Sequence, residues 1–374
     1  MVLRRRKELK GGRALISAMS VLVGMLLFSV VLWAFGKSPV ETFSTIIMSF
    51  VSPALVMDFL ILTMLGYALA ISFKASIWNI GAEGQFFIAM IPVAYILLVF
   101  FPQPESSPLP YIALSIAAAG AMGGLWGLIA GAIKAYTGLD EVPVTLILNY
   151  IAYYIVDYLV HGPLRGKHVF GYVRTDDINS SYRINVMWQQ PLQQFPPGPL
   201  GALEEWAYGM AYQLMYYAYW LAAAVAFALL AWLLYSRTIV GLKLKIVGTN
   251  PDFLIVTGSS VRRQYMTALT ISGAMAGIAG ALFMLGYWYR IPYPIEAQTA
   301  GYGYLAILVA WLAMIELPFI PVTAYVVSAL RNAGISLQIA GLGGLEQTLL
   351  VIGMVLLAYS LLRFLVEYEV RIVR

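Results

Sequence analysis

FKASIWNIGAEGQFF, residues 73–87, interrupts a long apolar region of the sequence with a lysine, an asparagine, two glycines and a glutamate. Uncharged runs lie on both sides of it, over residues 59–73 and 84–104. A charge inside a membrane segment is energetically costly, so it persists where it faces a cavity or a partner. The pattern therefore indicates either a broken spanning helix that lines a path or a cytoplasmic turn followed by a capped helix.

The composition of the whole chain is that of a membrane protein. Of its 374 residues, 61% are hydrophobic and 11% are charged, whereas soluble domains are about half apolar and a quarter charged. The mean hydropathy of +0.80 excludes a soluble globular protein, a disordered chain and a coiled coil. A spanning helix needs about 20 apolar residues, so this length allows roughly ten spans. We predict an all-α, polytopic membrane helix bundle that forms a single transmembrane domain over residues 1–374.

The last quarter of the chain favours discontinuous or re-entrant helices. Four uncharged runs follow one another there, over residues 297–315, 317–330, 332–345 and 347–362. The middle two are short and contain Gly or Pro, a pattern typical of helices that do not cross the bilayer cleanly.

The distribution of Lys and Arg predicts the orientation. With ten spans and both termini in the cytoplasm, most of the 23 basic residues fall on the cytoplasmic side, as the positive-inside rule requires. The cytoplasmic parts are then the basic N-terminus (1–13), a loop over 236–264 and the C-terminus (363–374), and the long loop over 161–207 lies outside. We therefore expect a multi-pass protein of the plasma (inner) membrane.

Residues 250–258, NPDFLIVTG, predict a short helix in the cytoplasmic loop. Asn250 is a capping residue, Pro251 suits the first helical position, and Asp252 places an acid in the first turn. Gly258 can end the helix, which gives two turns over residues 251–257. The apolar body of the helix consists of Phe253, Leu254, Ile255 and Val256. This apolar surface is covered either by a cytoplasmic partner or by the lipid interface, and we favour docking to a partner.

Two stretches contain candidates for a substrate path. In the first, Asn79 can cap a new helix and Glu83 then lies in its first turn. In the second, DEVPVTLILNY over residues 140–150, Asp140 and Glu141 suit a helix N-terminus as caps. Asn149 lies about two turns into that helix, where a bond to a neighbouring helix is favoured over a substrate contact. The candidate path residues are Asn79, Gly81, Glu83, Gln85 and Asn149.

Motifs for catalysis, metals and nucleotides are missing from the sequence. There is no Cys, and His161 and His168 are too few for a convincing metal site. Gly36-Lys37-Ser38 resembles the end of a P-loop, but Val31 stands where the first glycine is required. We therefore expect no ATPase motif, no enzyme activity and no cofactor on this chain.

Three stretches, in this order, resemble the permease subunits of ABC importers for nucleosides and simple sugars. They are FKASIWNIGAEGQF (73–86), DEVPVTLILNYIA (140–152) and VGTNPDFLIVTGSSVRRQYMTALTISGAMAGIAGAL (247–282). The broader group includes ribose-type and branched-chain amino acid permeases, and the similarity runs from about residue 60 to about residue 357. Lys74 and Ser76 depart from the arginine and glycine that are expected in this group.

The resemblance implies partners for this chain. A second permease subunit, of the same or a different sequence, would pair with it, two cytoplasmic ATP-binding subunits would use ATP, and an extracytoplasmic binding protein would deliver the substrate. Residues 250–258 match the helix that docks on the ATPase. Asn79, Gly81, Glu83 and Gln85 match the broken-helix motif of the group.

Two other classes of function stay open. In an ion- or proton-coupled secondary transporter, intramembrane carboxylates could relay protons. The candidates for such a relay are Asp58, Glu83, Asp157 and Glu346. A membrane-embedded enzyme ranks last because the sequence contains no catalytic cluster.

Overall fold

The computed structural model describes residues 2–5, 12–104, 107–185, 195–196, 198–298, 301–344, 350, 353–354, 357–358, 361–362, 364 and 368–371. The chain forms two compact units, one of Met1–Leu55 with Ser328–Arg374 and one of Val56–Val327. Glu346 lies outside the described residues, as do residues 186–194 of the long outer loop. The single-domain assignment over residues 1–374 stays a prediction.

Helices dominate the described residues. The first eight are α1 (Gly12–Ala34), α2 (Pro39–Ser49), α3 (Leu55–Lys74), α4 (Ala82–Ile88), α5 (Met90–Ala94), α6 (Leu109–Thr137), α7 (Glu141–His161) and α8 (Pro199–Tyr216). The others are α9 (Ala218–Arg237), α10 (Ile239–Thr249), α11 (Pro251–Val256), α12 (Val261–Phe283), α13 (Ile295–Gln298), α14 (Tyr302–Leu312) and α15 (Ile320–Ile339). Two π-helical segments, Tyr95–Phe100 and Met284–Trp288, extend α5 and α12.

Six of the described helical stretches are long and apolar enough to cross a membrane. They are Leu55–Lys74, Ala82–Phe100, Leu109–Thr137, Glu141–His161, Ala218–Arg237 and Val261–Trp288. The chain is therefore a multi-pass membrane protein of helical architecture, and the count of about ten spans stays a prediction. The only strands among the described residues, β1 (Val2–Arg5) and β2 (Tyr368–Arg371), pair antiparallel with each other.

The C-terminal helices differ from the prediction. The segments expected at 317–330 and 332–345 are not two broken helices, because α15 runs without interruption from Ile320 to Ile339. Arg331 lies inside this helix, and arginine is a good helix former, so its charge marks no boundary. The short helix is instead α14, which covers only Tyr302–Leu312 of the run at 297–315. At about 16 Å it reaches only half-way across a bilayer.

The unit Val56–Val327 is held together by the close approach of α6 and α12. Glycines of both helices lie at this contact: Gly120, Gly123, Gly124, Gly127 and Gly131 on α6, and Gly273 and Gly277 on α12. A side chain at Gly131 would lie 2.8 Å from the Met266 Cα atom. Because lipid gives no hydrophobic drive for helix association, contact between backbones supplies the packing energy.

The unit of Met1–Leu55 with Ser328–Arg374 has its own small apolar core. Its buried side chains are Phe28, Leu32, Ile46, Ala333 and Leu337. The Lys37 ammonium donates to the Gly341 carbonyl oxygen at 2.8 Å and so joins the end of α1 to the end of α15.

The described part of the loop over residues 161–207 is ordered by hydrogen bonds to its backbone. The Ile178 N–H donates to the Tyr289 carbonyl oxygen at 2.7 Å. The Asp176 carboxylate accepts the N–H groups of Lys167 and His168 at 3.0 and 3.1 Å. Burial alone would raise the pKa of the Asp176 carboxyl, but these two hydrogen bonds hold that pKa below its usual value. The described part of this loop is therefore folded.

The glycine contact generates a stability prediction. Gly277→Ala places a methyl group against the Ala119 carbonyl and should destabilise the protein by about 1–3 kcal/mol. Helical Gly353 has open space around its Cα atom, so Gly353→Ala should leave stability unchanged or raise it by roughly 0.5–1 kcal/mol. The temperature at which half of the monodisperse protein is lost in detergent measures both. Equal midpoints for the two variants would contradict the packing described here.

Candidate functional site

Residues 75–81, between α3 and α4, are not helical, and their backbone is bonded by side chains of α7. Glu141, Thr145 and Asn149 are spaced four residues apart and so share one face of that helix. The bonds run from the N–H of Trp78 to Glu141 Oε1 (2.9 Å), of Ile80 to Thr145 Oγ1 (3.2 Å) and of Gly84 to Asn149 Oδ1 (2.8 Å). Residues 78–84 therefore follow the first two turns of α7, about 12 Å, and the last of these bonds is made to Gly84 inside α4.

This arrangement supplies hydrogen-bond partners to the non-helical backbone between the candidate spans Leu55–Lys74 and Ala82–Phe100. Non-helical backbone inside a bilayer is tolerated only where protein or a water-filled cavity surrounds it. Asn149 closes the arrangement, since its Nδ2 donates to the Ile80 carbonyl at 2.9 Å and to the Tyr304 hydroxyl at 3.1 Å. The side chain thus bonds neighbouring elements, which is the role that the sequence favoured over a substrate contact.

A second polar cluster joins the break to α12. The Asn79 Nδ2 donates to Gln85 Oε1 and to Ser272 Oγ, both at 2.9 Å. The Asn79 Oδ1 accepts the Gly81 N–H at 3.0 Å and the Gln85 amide at 3.2 Å. Asn79 does not occupy the cap position expected for it, because α4 begins at Ala82 and its N-cap residue is Gly81. The asparagine instead bonds the N–H of that N-cap residue and holds the turn to α12.

Glu141 also differs from its prediction as a cap. Asp140 alone caps α7, accepting the Val142 N–H at 3.0 Å. Glu141 is buried, forms an ion pair with Lys134 and accepts the Trp78 N–H. The difference arises because Glu141 lies on the face of α7 that meets the break, whereas Asp140 precedes the helix.

The N-terminus of α14 meets the N-terminus of α4 at Glu83. The Glu83 side chain is completely buried, and its carboxylate accepts the Gly303 N–H in the first turn of α14. Glu83 also lies in the first turn of α4, as predicted. Each helix N-terminus carries a partial positive charge, so one carboxylate between two such ends stabilises both. A side chain at Gly303 would clash with the Glu83 backbone, so only glycine permits this contact.

Two of the carboxylates considered for a proton relay bind the start of α14 and the segment before it. Asp58 Oδ1 accepts the Tyr302 hydroxyl at 2.6 Å, and Asp157 Oδ1 accepts the Ile295 N–H at 2.7 Å. With Glu83, three acids on α3, α4 and α7 therefore bind residues 295–303. The geometry favours a structural role for them over proton transfer.

All the candidate path residues lie together around the start of α4. Asn79, Glu83, Gln85 and Asn149 are buried, and their polar atoms bond protein groups. Sequence reasoning missed Thr145 and Ser272, which complete the cluster. Of these, Thr145 had a readable signal, because it lies half-way between Glu141 and Asn149 on the same helical face.

The short helix predicted over residues 251–257 forms largely as expected. Asn250 Oδ1 accepts the Phe253 N–H at 3.0 Å, and Gly258 adopts a left-handed φ of 74° just past the end. The helix, Pro251–Val256, is one residue shorter than expected. Leu254 is 1% exposed and anchors it, whereas the exposed fractions of Phe253, Ile255 and Val256 are 52%, 61% and 85%. The outcome is a capped helix that presents an apolar surface.

Among the residues that the structure describes, no three His, Cys, Asp or Glu side chains come together in a group that could hold a metal ion.

Comparison with known proteins adds a family. Residues 52–360 match the family described as the permease component of branched-chain amino acid transport systems. The chain is 29% identical over 247 residues to the guanosine ABC transporter permease NupP of Bacillus subtilis, covering 66% of this chain and 63% of that relative. It is 26% identical over 315 residues to the nucleoside ABC transporter permease NupB of Lactococcus lactis, covering 81% and 79%.

A glucose ABC transporter permease of Haloferax volcanii is 24% identical over 332 residues, which cover 87% of this chain and 76% of the relative. The alignment with the guanosine permease covers 63% of that relative, which is less than two thirds of its length. No solved structure matches the chain significantly.

The bonds of Asn149 generate a prediction for the break. Asn149→Ala leaves the Gly84 N–H and the Ile80 carbonyl without their partner, at about 1–3 kcal/mol for each buried group. Amide hydrogen exchange in a peptide that covers residues 77–87 should therefore become faster. Ile147→Ala is the control, because this side chain on the same helix is exposed and its loss should change stability by less than about 0.5 kcal/mol. Unchanged exchange in Asn149→Ala would contradict the role assigned to it.

Proposed function

The chain belongs to the family of permease components of branched-chain amino acid transport systems, and we propose that it is the membrane subunit of an ATP-driven importer for nucleosides or simple sugars. It forms the translocation path and docks to a separate cytoplasmic ATPase. The substrate class rests on relatives named for guanosine, nucleosides and glucose.

The chemistry of the buried cluster supports this substrate class. Nucleosides and sugars are neutral, polar solutes, and sites for them need hydrogen-bond donors and acceptors rather than a countercharge. The amide side chains of Asn79, Gln85 and Asn149 are groups of this kind. We place the path beside Asn79, Gly81, Glu83, Gln85 and Asn149, where α4 and α14 meet. Separation of α4 from α14 during transport would expose the amide groups to substrate.

The docking proposal rests on the apolar surface of α11. A six-residue helix is too short to be stable alone, so the Asn250 cap and the buried Leu254 side chain hold it to the rest of the chain. That support leaves Phe253, Ile255 and Val256 exposed, which fits a preformed contact for a protein partner. ATP binding by the partner would then move α11, provided that docking energy differs between two states of the permease.

The proposed importer function also implies other partners. A second permease subunit, of the same or a different sequence, pairs with this chain, and an extracytoplasmic binding protein delivers the substrate. Cytoplasmic ATP-binding subunits use ATP, and this chain needs no cofactor of its own. The pairing of Val2–Arg5 with Tyr368–Arg371 supports termini on one side of the membrane, and the excess of Lys and Arg assigns that side to the cytoplasm.

Phe253→Asp tests the docking. A charge at the centre of the apolar surface should reduce the amount of ATPase that co-purifies with the permease by about tenfold or more, since buried aromatic anchors dominate such interfaces. Phe170→Asp is the matched control, because Phe170 is equally a surface phenylalanine but lies in the outer loop. Quantitative pull-down from membranes in mild detergent measures both. Normal co-purification with Phe253→Asp would contradict docking through α11.

A further inference from the structure

Ser76 has a backbone conformation that serine rarely adopts. Its φ of 56° lies in the left-handed region, which is unfavourable for residues with a Cβ atom. Its hydroxyl donates to the Gly248 carbonyl oxygen at 2.8 Å, across 172 positions of sequence. A glycine at position 76 would accept the same φ without strain, but it would have no hydroxyl for this bond.

The two ends of this bond belong to the two functional parts of the chain. Ser76 lies in the break, two residues before Trp78, whose N–H is bonded by Glu141. Gly248 lies at the end of α10, two residues before Asn250, which caps α11. The bond therefore joins the proposed docking segment to the proposed path.

The contact between Ser76 and Gly248 requires a residue without a side chain at position 248. A Cβ atom there would lie 2.6 Å from the Lys74 carbonyl oxygen and 2.9 Å from the Ala75 carbonyl carbon. The backbones of α10 and of the break thus touch directly at the place where the Ser76 hydroxyl binds. The ion pair of Lys74 with Glu316 at 3.4 Å lies nearby, but it joins the end of α3 to the segment after α14 and not to α10.

We propose that Ser76 is a positioning residue that couples the docked α10–α11 segment to the broken helix, through its hydrogen bond to the Gly248 carbonyl. This inference rests on the proposed function, because it assumes that an ATPase moves α11. When α11 moves, the bond carries the displacement of Gly248 into residues 75–81 and so to the junction of α4 and α14. The left-handed backbone at Ser76 aims the hydroxyl at α10.

The test is the ratio of substrate taken up to ATP hydrolysed by the reconstituted complex of permease, ATPase and binding protein. Ser76→Ala and Ser76→Gly both remove the hydroxyl. Ser76→Gly also removes the backbone strain at this position, so it tests the loss of the hydrogen bond without a strained residue. We expect the ratio to fall by roughly threefold to tenfold in both variants, the effect of one hydrogen bond. ATPase co-purification and basal hydrolysis should stay at the wild-type level.

Two further variants complete the design. Ser76→Asn keeps a donor and tolerates the left-handed region, so it should recover most of the ratio. Thr249→Ala is the matched control, because the Thr249 hydroxyl bonds only carbonyls of α10 itself, and its ratio should not change.

A wild-type ratio in Ser76→Ala and Ser76→Gly, together with normal ATPase co-purification, would overturn this inference and leave the proposed function standing. An equal fall in Thr249→Ala would also overturn it. Failure of the wild-type permease to retain an ATPase would overturn both.

Discussion

The backbone of residues 75–81 joins two apolar candidate spans without being helical, so its polar groups need hydrogen-bond partners from the protein. Unpaired N–H and C=O groups in lipid cost several kcal/mol each, so a break in a spanning helix needs partners from the protein. Glu141, Thr145 and Asn149 supply them from one face of α7. These bonds fix the position along α7 at which α4 begins. They therefore also fix where α14 can contact α4.

The same constraint explains why charged groups persist in this apolar chain. Glu83 lies between the positive ends of α4 and α14, Asp58 binds Tyr302 at the start of α14, and Asp157 binds Ile295 in the segment before it. Discontinuous helices are a recurring device in transporters, and α14, with 11 residues, is too short to cross a membrane alone. Here side chains join the N-terminal ends of α4 and α14. The closed junction is therefore one defined conformation, which a movement of the partner subunit could open.

Local signals in the sequence predicted local structure well. The caps at Asn250 and Asp140 and the left-handed Gly258 formed as expected, because each depends on residues within one or two turns. The tertiary partners could not be predicted, since nothing near Ser272 indicates that it would bond Asn79 across the fold. The division of α15 into two helices was wrong because a single charge was taken as a boundary, although arginine is compatible with a helix interior.

Uptake into proteoliposomes tests the importer assignment most directly. The permease is reconstituted with its ATP-binding subunits and binding protein, and radiolabelled guanosine or glucose is offered with ATP on the ATPase side or with a proton or sodium gradient alone. We predict uptake that requires both ATP and the ATP-binding subunits and that ignores the gradients. Uptake by the permease alone, driven by a proton or sodium gradient, would contradict the assignment and would make Asp58, Glu83 and Asp157 transport groups rather than structural ones.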